Sequence, residues 1–127
     1  MVGPDRYLAE IQRLGHDPPI PADLMHRVYD GYERRKSRVG RIDFEDMLGL
    51  AVRLFDEHPD AAERVRERLQ AFTVDEYQDV NPLQQALLER WLGGRDEVCV
   101  VGDDHQTIYT FTGASPEYLL TFPERYP

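Results

Sequence analysis

Two short β-prone runs, Phe72-Thr73-Val74 and Val98-Cys99-Val100-Val101, flank a single amphipathic helical stretch, and that order leaves few folds open. Asn81-Pro82 is a strong helix start, Leu83 to Leu92 carries the amphipathic pattern, and Gly93-Gly94 ends it. Strand, helix and strand in this order predict a parallel crossover pair, the building unit of an α/β fold. Ser115-Pro116-Glu117 begins a last short helix before Pro123 and Pro127 break the chain, which stops where another strand of such a sheet is expected.

Upstream the texture is helical. Asp5 can cap a helix through Leu14 that Gly15 ends, and the proline-rich loop from His16 to Pro21 separates it from a longer helix over about Ala22 to Arg38. Leu24, Val28 and Tyr32 share one face of that helix. Asp43 with Asp46 three residues on reads as a reciprocal cap opening a third helix through Phe55, which His58-Pro59 stops. Asp60 with Glu63 repeats the pattern for a fourth, Ala61 to Gln70, with Val65 and Leu69 inward. The texture changes at Ala71, where the strand–helix–strand part begins.

Composition limits the partners. A net charge of −9 argues against strong nucleic-acid binding by these residues alone, because phosphate contacts dominate such affinity. The densest basic stretch, Arg34-Arg35-Lys36-Ser37-Arg38, reads first as a solvated helix end and second as a phosphate contact. Cys99 is the only cysteine, which excludes an internal disulfide, and its apolar surroundings predict a buried small side chain. No apolar run approaches the ~20 residues of a membrane span. The expectation is a cytoplasmic protein, and the arginine-rich, lysine-poor composition suits a GC-rich bacterial genome.

In a parallel sheet, ligands bind beyond the carboxyl ends of the strands, which is where the unusual polar residues fall. Val74 is followed by Asp75-Glu76-Tyr77-Gln78-Asp79, and Val101 by Gly102-Asp103-Asp104-His105-Gln106. Five carboxylates and two glutamine amides at one edge repel or crowd one another unless a cation or compensating partners are present. Asp75 at the strand end suits magnesium, which leans on one or two carboxylates plus substrate phosphates. Glu76 can orient or deprotonate an attacking water, and Gln78 and Gln106 can bond phosphate oxygens without adding charge. Tyr109 and Phe111 alternate, so they share a face if extended; stacking on single-stranded bases and ordinary core packing remain equally open.

Asp75-Glu76-Tyr77-Gln78-Asp79 resembles the Walker B segment of the UvrD/Rep/PcrA-like superfamily 1 DNA helicases. Val100 to Tyr109, with Phe111 and Gly113-Ala114, resembles their third motif, and Ile42 to Leu48 is similar to the Asp-Phe-acidic segment upstream. The resemblance covers Tyr29 to Tyr126. It implies a partial RecA-like sheet of the P-loop NTPase type, with the earlier helices in the subdomain inserted into it. It further implies that Asp75 holds magnesium, that Glu76 is the catalytic base, that Gln106 senses the γ-phosphate of ATP and links it to DNA, and that Tyr109 and Phe111 line a single-strand track. Gln78, Asp79, Asp103 and Asp104 would support these groups. Translocation in this branch runs 3′ to 5′. Thr112 stands where the family usually has arginine, and His105 where an acidic residue or proline is more frequent.

A phosphate loop needs glycine-rich backbone amides and a lysine followed by Ser or Thr. The only lysine, Lys36, does precede Ser37, but Arg35 and Asp30 occupy the glycine positions. The leading reading is therefore a segment of an ATP-dependent helicase, inactive alone, that meets ATP, Mg²⁺ and single-stranded or duplex DNA together with the remainder of its polypeptide. The alternative is a truncated, non-enzymatic module that binds a protein partner.

Overall fold

The computed structural model describes residues 3–126, which divide into two compact units, one up to Met47 and one from Leu48 onward. Among the described residues no helix is long and apolar enough to cross a membrane.

The first unit is helical. In α1 (Pro4–Leu14) the cap is Gly3 and Pro4 opens the first turn, so Asp5, expected as the cap, lies inside the helix near its positive end. Gly15 ends α1 in the left-handed region at φ 61°. The second helix, α2 (Ala22–Arg38), packs on α1, with Tyr7 edge-on to Tyr29 at 5.9 Å between ring centroids. The stripe of α2 that turns from solvent is Met25, Tyr29 and Lys36; the face of Leu24, Val28 and Tyr32 is exposed. The pattern was legible but its direction was not, because the buried stripe of α2 is completed by an ion cluster instead of by aliphatic residues.

That cluster centres on Lys36, whose side chain is only 9% exposed. Its ammonium donates to Glu33 Oε1 at 2.8 Å, Asp43 Oδ2 at 2.9 Å and Asp46 Oδ2 at 2.8 Å. The two aspartates also cap α3 (Phe44–Glu57) reciprocally, as expected: Asp43 Oδ1 accepts the Asp46 N–H at 2.8 Å and Asp46 Oδ2 accepts the Asp43 N–H at 3.1 Å. The Tyr32 hydroxyl donates to Asp43 at 2.8 Å. The basic stretch is thus split in use, with Lys36 internal and its arginine neighbours exposed.

In the second unit α4 (Pro59–Arg68) starts two residues earlier than its sequence suggests. Pro59 takes the first helical position after His58, so Asp60 sits in the first turn and caps nothing, and Leu69 falls beyond the helix and is exposed. Phe55, Ala62 and Leu87 form one small core, with Leu48, Ala51, Val52, Val65 and Trp91 against it. Arg90 of α5 (Pro82–Leu92) holds Asp56 of α3 through two 3.1 Å bonds.

The sheet is the expected parallel pair, β1 (Phe72–Val74) beside β2 (Val98–Val100), in the register Phe72 to Val98 and Val74 to Val100. Alternation turns Phe72, Val74, Val98 and Val100 onto a core of Tyr77, Val80, Leu88 and Leu92, with Phe72 stacked on Trp91 at 5.6 Å. The same alternation puts Thr73 and Cys99 on the opposite face, where both are exposed. The burial expected for Cys99 is therefore overturned: an apolar strand is buried on both faces only when a second layer covers it. Two short helices follow, α6 (Glu117–Leu120) and α7 (Phe122–Arg125), and Pro123 lies in the first turn of α7, where it opens a helix instead of breaking the chain. Pro127 lies outside the described residues.

The cap of α5 closes the loop that follows β1. Asn81 Oδ1 accepts the N–H groups of Leu83 at 3.0 Å and Gln84 at 2.9 Å, while Gln84 Oε1 accepts the Asn81 N–H at 2.9 Å. Asn81→Ala removes this box and is expected to cost about 1 kcal/mol, read as a lower urea midpoint with an unchanged slope. An unchanged midpoint would show that the cap contributes nothing.

Candidate functional site

Both loops leave the sheet at its carboxyl end. The ladder continues one step past β2, with the Val101 N–H donating to the Val74 carbonyl at 2.8 Å and the Tyr77 N–H to the Val101 carbonyl at 2.9 Å. Between these bonds the chain turns sharply. Glu76 sits at φ 53°, the one non-glycine residue with positive φ among those described, and the Asp75 carboxylate braces it by accepting the Glu76 N–H at 2.9 Å. A glutamate in the left-handed region is strained by about 1 kcal/mol or more and persists only where its surroundings over-determine it.

Those surroundings are on the next turn, Tyr77–Asp79. Tyr77 is fully buried, meets Phe122 edge-on, and donates its hydroxyl to Gln85 Oε1 at 2.6 Å. Burial pushes its phenol up to about 12. Gln78 is 1% exposed, with its Nε2 donating to Glu76 Oε2 at 2.7 Å and its Oε1 accepting the Asp103 N–H at 3.1 Å. Both ends of the amide are engaged within the chain, so Gln78 is not free to meet phosphate oxygens. Asp79 Oδ1 accepts the N–H groups of Ile108 at 3.3 Å and Tyr109 at 3.4 Å.

The second loop is exposed. Asp103 Oδ2 accepts the Gln106 Nε2 at 2.8 Å and Oδ1 accepts the His105 N–H at 3.0 Å. These bonds, that of the Gln106 amide first, hold the Asp103 carboxyl below its usual range. Asp103, Asp104 and His105 bring ligand-type atoms within 4.8 Å of one another, all exposed. Tyr109 and Phe111 do not lie on an extended strand. They stand at a tight turn over Thr110–Thr112, with ring centroids 6.0 Å apart, and are 47% and 82% exposed. Of the two openings left by their spacing, core packing is absent from the described residues.

A magnesium ion asks for oxygen donors on a strand end open to substrate. Asp75 is exposed there, and Glu76 is exposed one residue on. Asp79, spent on two backbone amides, and Asp103, spent on Gln106 and His105, serve the loops instead. Lys36 cannot act as a phosphate-loop lysine, since three carboxylates hold it inside a helix. The sequence did not mark Gln85 or Gly102. Gln85, 2% exposed on α5, anchors Tyr77. A Cβ on Gly102 would lie 2.5 Å from Gln78 Oε1 and 3.2 Å from the Tyr77 nitrogen, so only glycine lets the two loops close this far.

This chain is similar to known proteins over most or all of its length. It is 45% identical over 130 residues to the ATP-dependent DNA helicase UvrD2 of Mycobacterium tuberculosis, a match that takes in 100% of this chain and 19% of that protein. It is 38% identical over 103 residues, 81% of this chain and 14% of the relative, to the putative ATP-dependent DNA helicase YjcD of Bacillus subtilis. To the ATP-dependent DNA helicase PcrA of Staphylococcus aureus it is 33% identical over 135 residues, covering 98% of this chain and 18% of PcrA. The chain thus spans about a fifth or less of the length of these relatives. The UvrD/REP helicase N-terminal domain family matches residues 9–127, taking in both acidic loops and the parallel pair that carries them, and this chain belongs to that family.

Proposed function

We propose that this chain supplies the acidic half of the ATP site and the adjoining DNA-contact loop of an ATP-dependent helicase motor translocating 3′ to 5′. The observation that carries the reading is the buried Gln78 bridge, which brings a strained glutamate after β1 and the loop after β2 together at the carboxyl edge of a parallel pair. Residues 41–127 would then be part of a RecA-like motor domain and residues 1–40 part of a helical subdomain inserted in it, with Asp75 to Asp79 as Walker B and Val100 to Ala114 as the third motif.

Magnesium, when bound, would neutralise charge on the transferring phosphate. Asp75 is the residue to hold it. Glu76, aimed by the turn it occupies, orients the attacking water and takes its proton. Gln106, now resting on Asp103, is close enough in sequence to the aromatic turn to report on the phosphate to Tyr109 and Phe111. These two offer exposed ring faces on which successive bases can stack, a contact that needs no sequence preference. The negative chain charge weakens DNA contact by these residues alone, so the cationic groove that tracks the phosphates would come from the rest of a helicase.

The test compares the 127-residue chain with a longer polypeptide that contains it, made by exchanging this segment for the matching 19% of the UvrD2 relative. DNA-stimulated ATP hydrolysis is expected from the longer polypeptide, and neither turnover nor micromolar ATP affinity from the chain alone. Micromolar binding of ATP by the isolated chain in a calorimetric titration would overturn the division of labour proposed here.

A further inference from the structure

We propose that Gln78 is a positioning residue whose single buried amide registers the Glu76 carboxylate against the backbone of the loop after β2. The proposal rests on the reading of Glu76 as the water-activating base and deepens it.

Glu76 and Asp103 are far apart in sequence, yet one side chain touches both: Gln78 Nε2 donates to Glu76 Oε2 at 2.7 Å and Gln78 Oε1 accepts the Asp103 N–H at 3.1 Å. A carboxamide donates to a carboxylate at one end and accepts from a backbone N–H at the other without carrying charge. A glutamate would accept at both ends and repel Glu76; a methionine would fill the space and bond neither. The slot itself is tight. Gly102 borders it with no room for a Cβ, and the Tyr77 N–H closes it by bonding the Val101 carbonyl at 2.9 Å. At 1% exposure, water does not replace either bond of the amide.

The far end of the bridge matters as much. Asp103, whose N–H the amide holds, carries the Gln106 side chain on its own carboxylate at 2.8 Å. A shift of the Gln78 amide therefore moves Glu76 on one side and the Asp103–Gln106 pair on the other. The base and the group proposed to meet the phosphate keep a fixed separation because a rigid planar amide lies between them. A misplacement of about 1 Å at a reacting group can cost roughly a hundredfold in rate, so small shifts here are large in effect.

The experiment uses the longer polypeptide with ATP and single-stranded DNA and compares Gln78→Met, Gly102→Ala, Glu76→Gln and the double variant Glu76→Gln/Gln78→Met. Gln78→Met is expected to lower kcat by roughly ten- to a hundredfold with KM for ATP within about threefold, since positioning and not substrate binding is lost. Gly102→Ala, which leaves Gln78 in the chain but pushes it from its slot, is expected to do the same. It serves as the independent measure should Gln78→Met fold poorly. The part of the Gln78 effect that runs through Glu76 has nothing left to position once that carboxylate is gone, so the double variant is expected to lose clearly less than the product of the two single losses. Multiplying losses in the double variant, or a Gln78→Met enzyme within twofold of wild type, would overturn the proposal while leaving the function reading intact. Absence of ATP hydrolysis by the wild-type polypeptide would instead overturn the function reading, and this inference with it.

Discussion

Glu76→Gln in the longer polypeptide is expected to lower kcat for ATP hydrolysis by about 10²- to 10⁴-fold, the range over which a positioned general base contributes. ATP affinity should stay within a few fold. Glutamine has the volume of glutamate, and its carbonyl can still accept from Gln78 Nε2, which the carboxylate does at 2.7 Å. The turn at φ 53° and its brace from Asp75 involve the backbone and are unchanged by the substitution. What is lost is the charge that takes a proton from water. A fall in kcat with unchanged substrate binding is the signature of an interaction made only in the transition state. Asp75→Asn should differ in kind, weakening the dependence on magnesium as well as the rate. If Glu76→Gln keeps kcat within about threefold of wild type, Glu76 is not the base, and the strained turn needs another explanation.

The parts of this molecule that were legible in the sequence are those fixed by local chemistry. Asn81-Pro82 has one efficient use, as cap and first turn of a helix, and α5 begins there. Asp43 and Asp46 at capping spacing cap each other. The apolar runs at Phe72 and Val98 pair in parallel because a helix lies between them. The edge to which the two loops lead followed from the same order. Illegible were features that depend on a partner distant in the chain. Lys36 looked like part of a solvated basic run, and nothing local marks that Asp43 and Asp46 return to it. Gln78 looked like a free amide beside a phosphate site, because Gly102, whose missing Cβ makes room for it, is far along the sequence. Cys99 looked buried because its neighbours are apolar, whereas burial on that face requires a second layer that apolar neighbours cannot supply. Leu24, Val28 and Tyr32 have the spacing of a buried stripe, but spacing does not say which side of a helix another element covers.

Lys36→Met is expected to destabilise the helical unit by about 2 kcal/mol at neutral pH. That is below the 3–5 kcal/mol of a fully buried broken pair, because the three carboxylates keep partial contact with water. Methionine keeps the unbranched stem, so the loss is electrostatic. Burial pushes the Lys36 ammonium down, but the hydrogen bonds to Asp43, Asp46 and Glu33 outweigh it and hold the group above its ordinary value of 10.5. Its contribution is thus fully present below pH 10.5 and is lost only as pH rises beyond that. Asp43 is shifted the other way, chiefly by Lys36, then by the Asp46 N–H and the Tyr32 hydroxyl, to below its ordinary 3.8. Its contribution is present above pH 3.8 and is lost as pH falls through the depressed value. Wild type should therefore lose stability on acidification below that point. In Lys36→Met the same carboxylates face one another with no cation between them, and protonation relieves their repulsion. The gap between the two proteins is expected to stay level near neutral pH and to narrow as pH falls through the carboxylate range toward 3, followed as urea midpoints by far-ultraviolet circular dichroism. A gap that stays constant over this range would mean that the loss does not come from the charge of Lys36 acting on the three carboxylates.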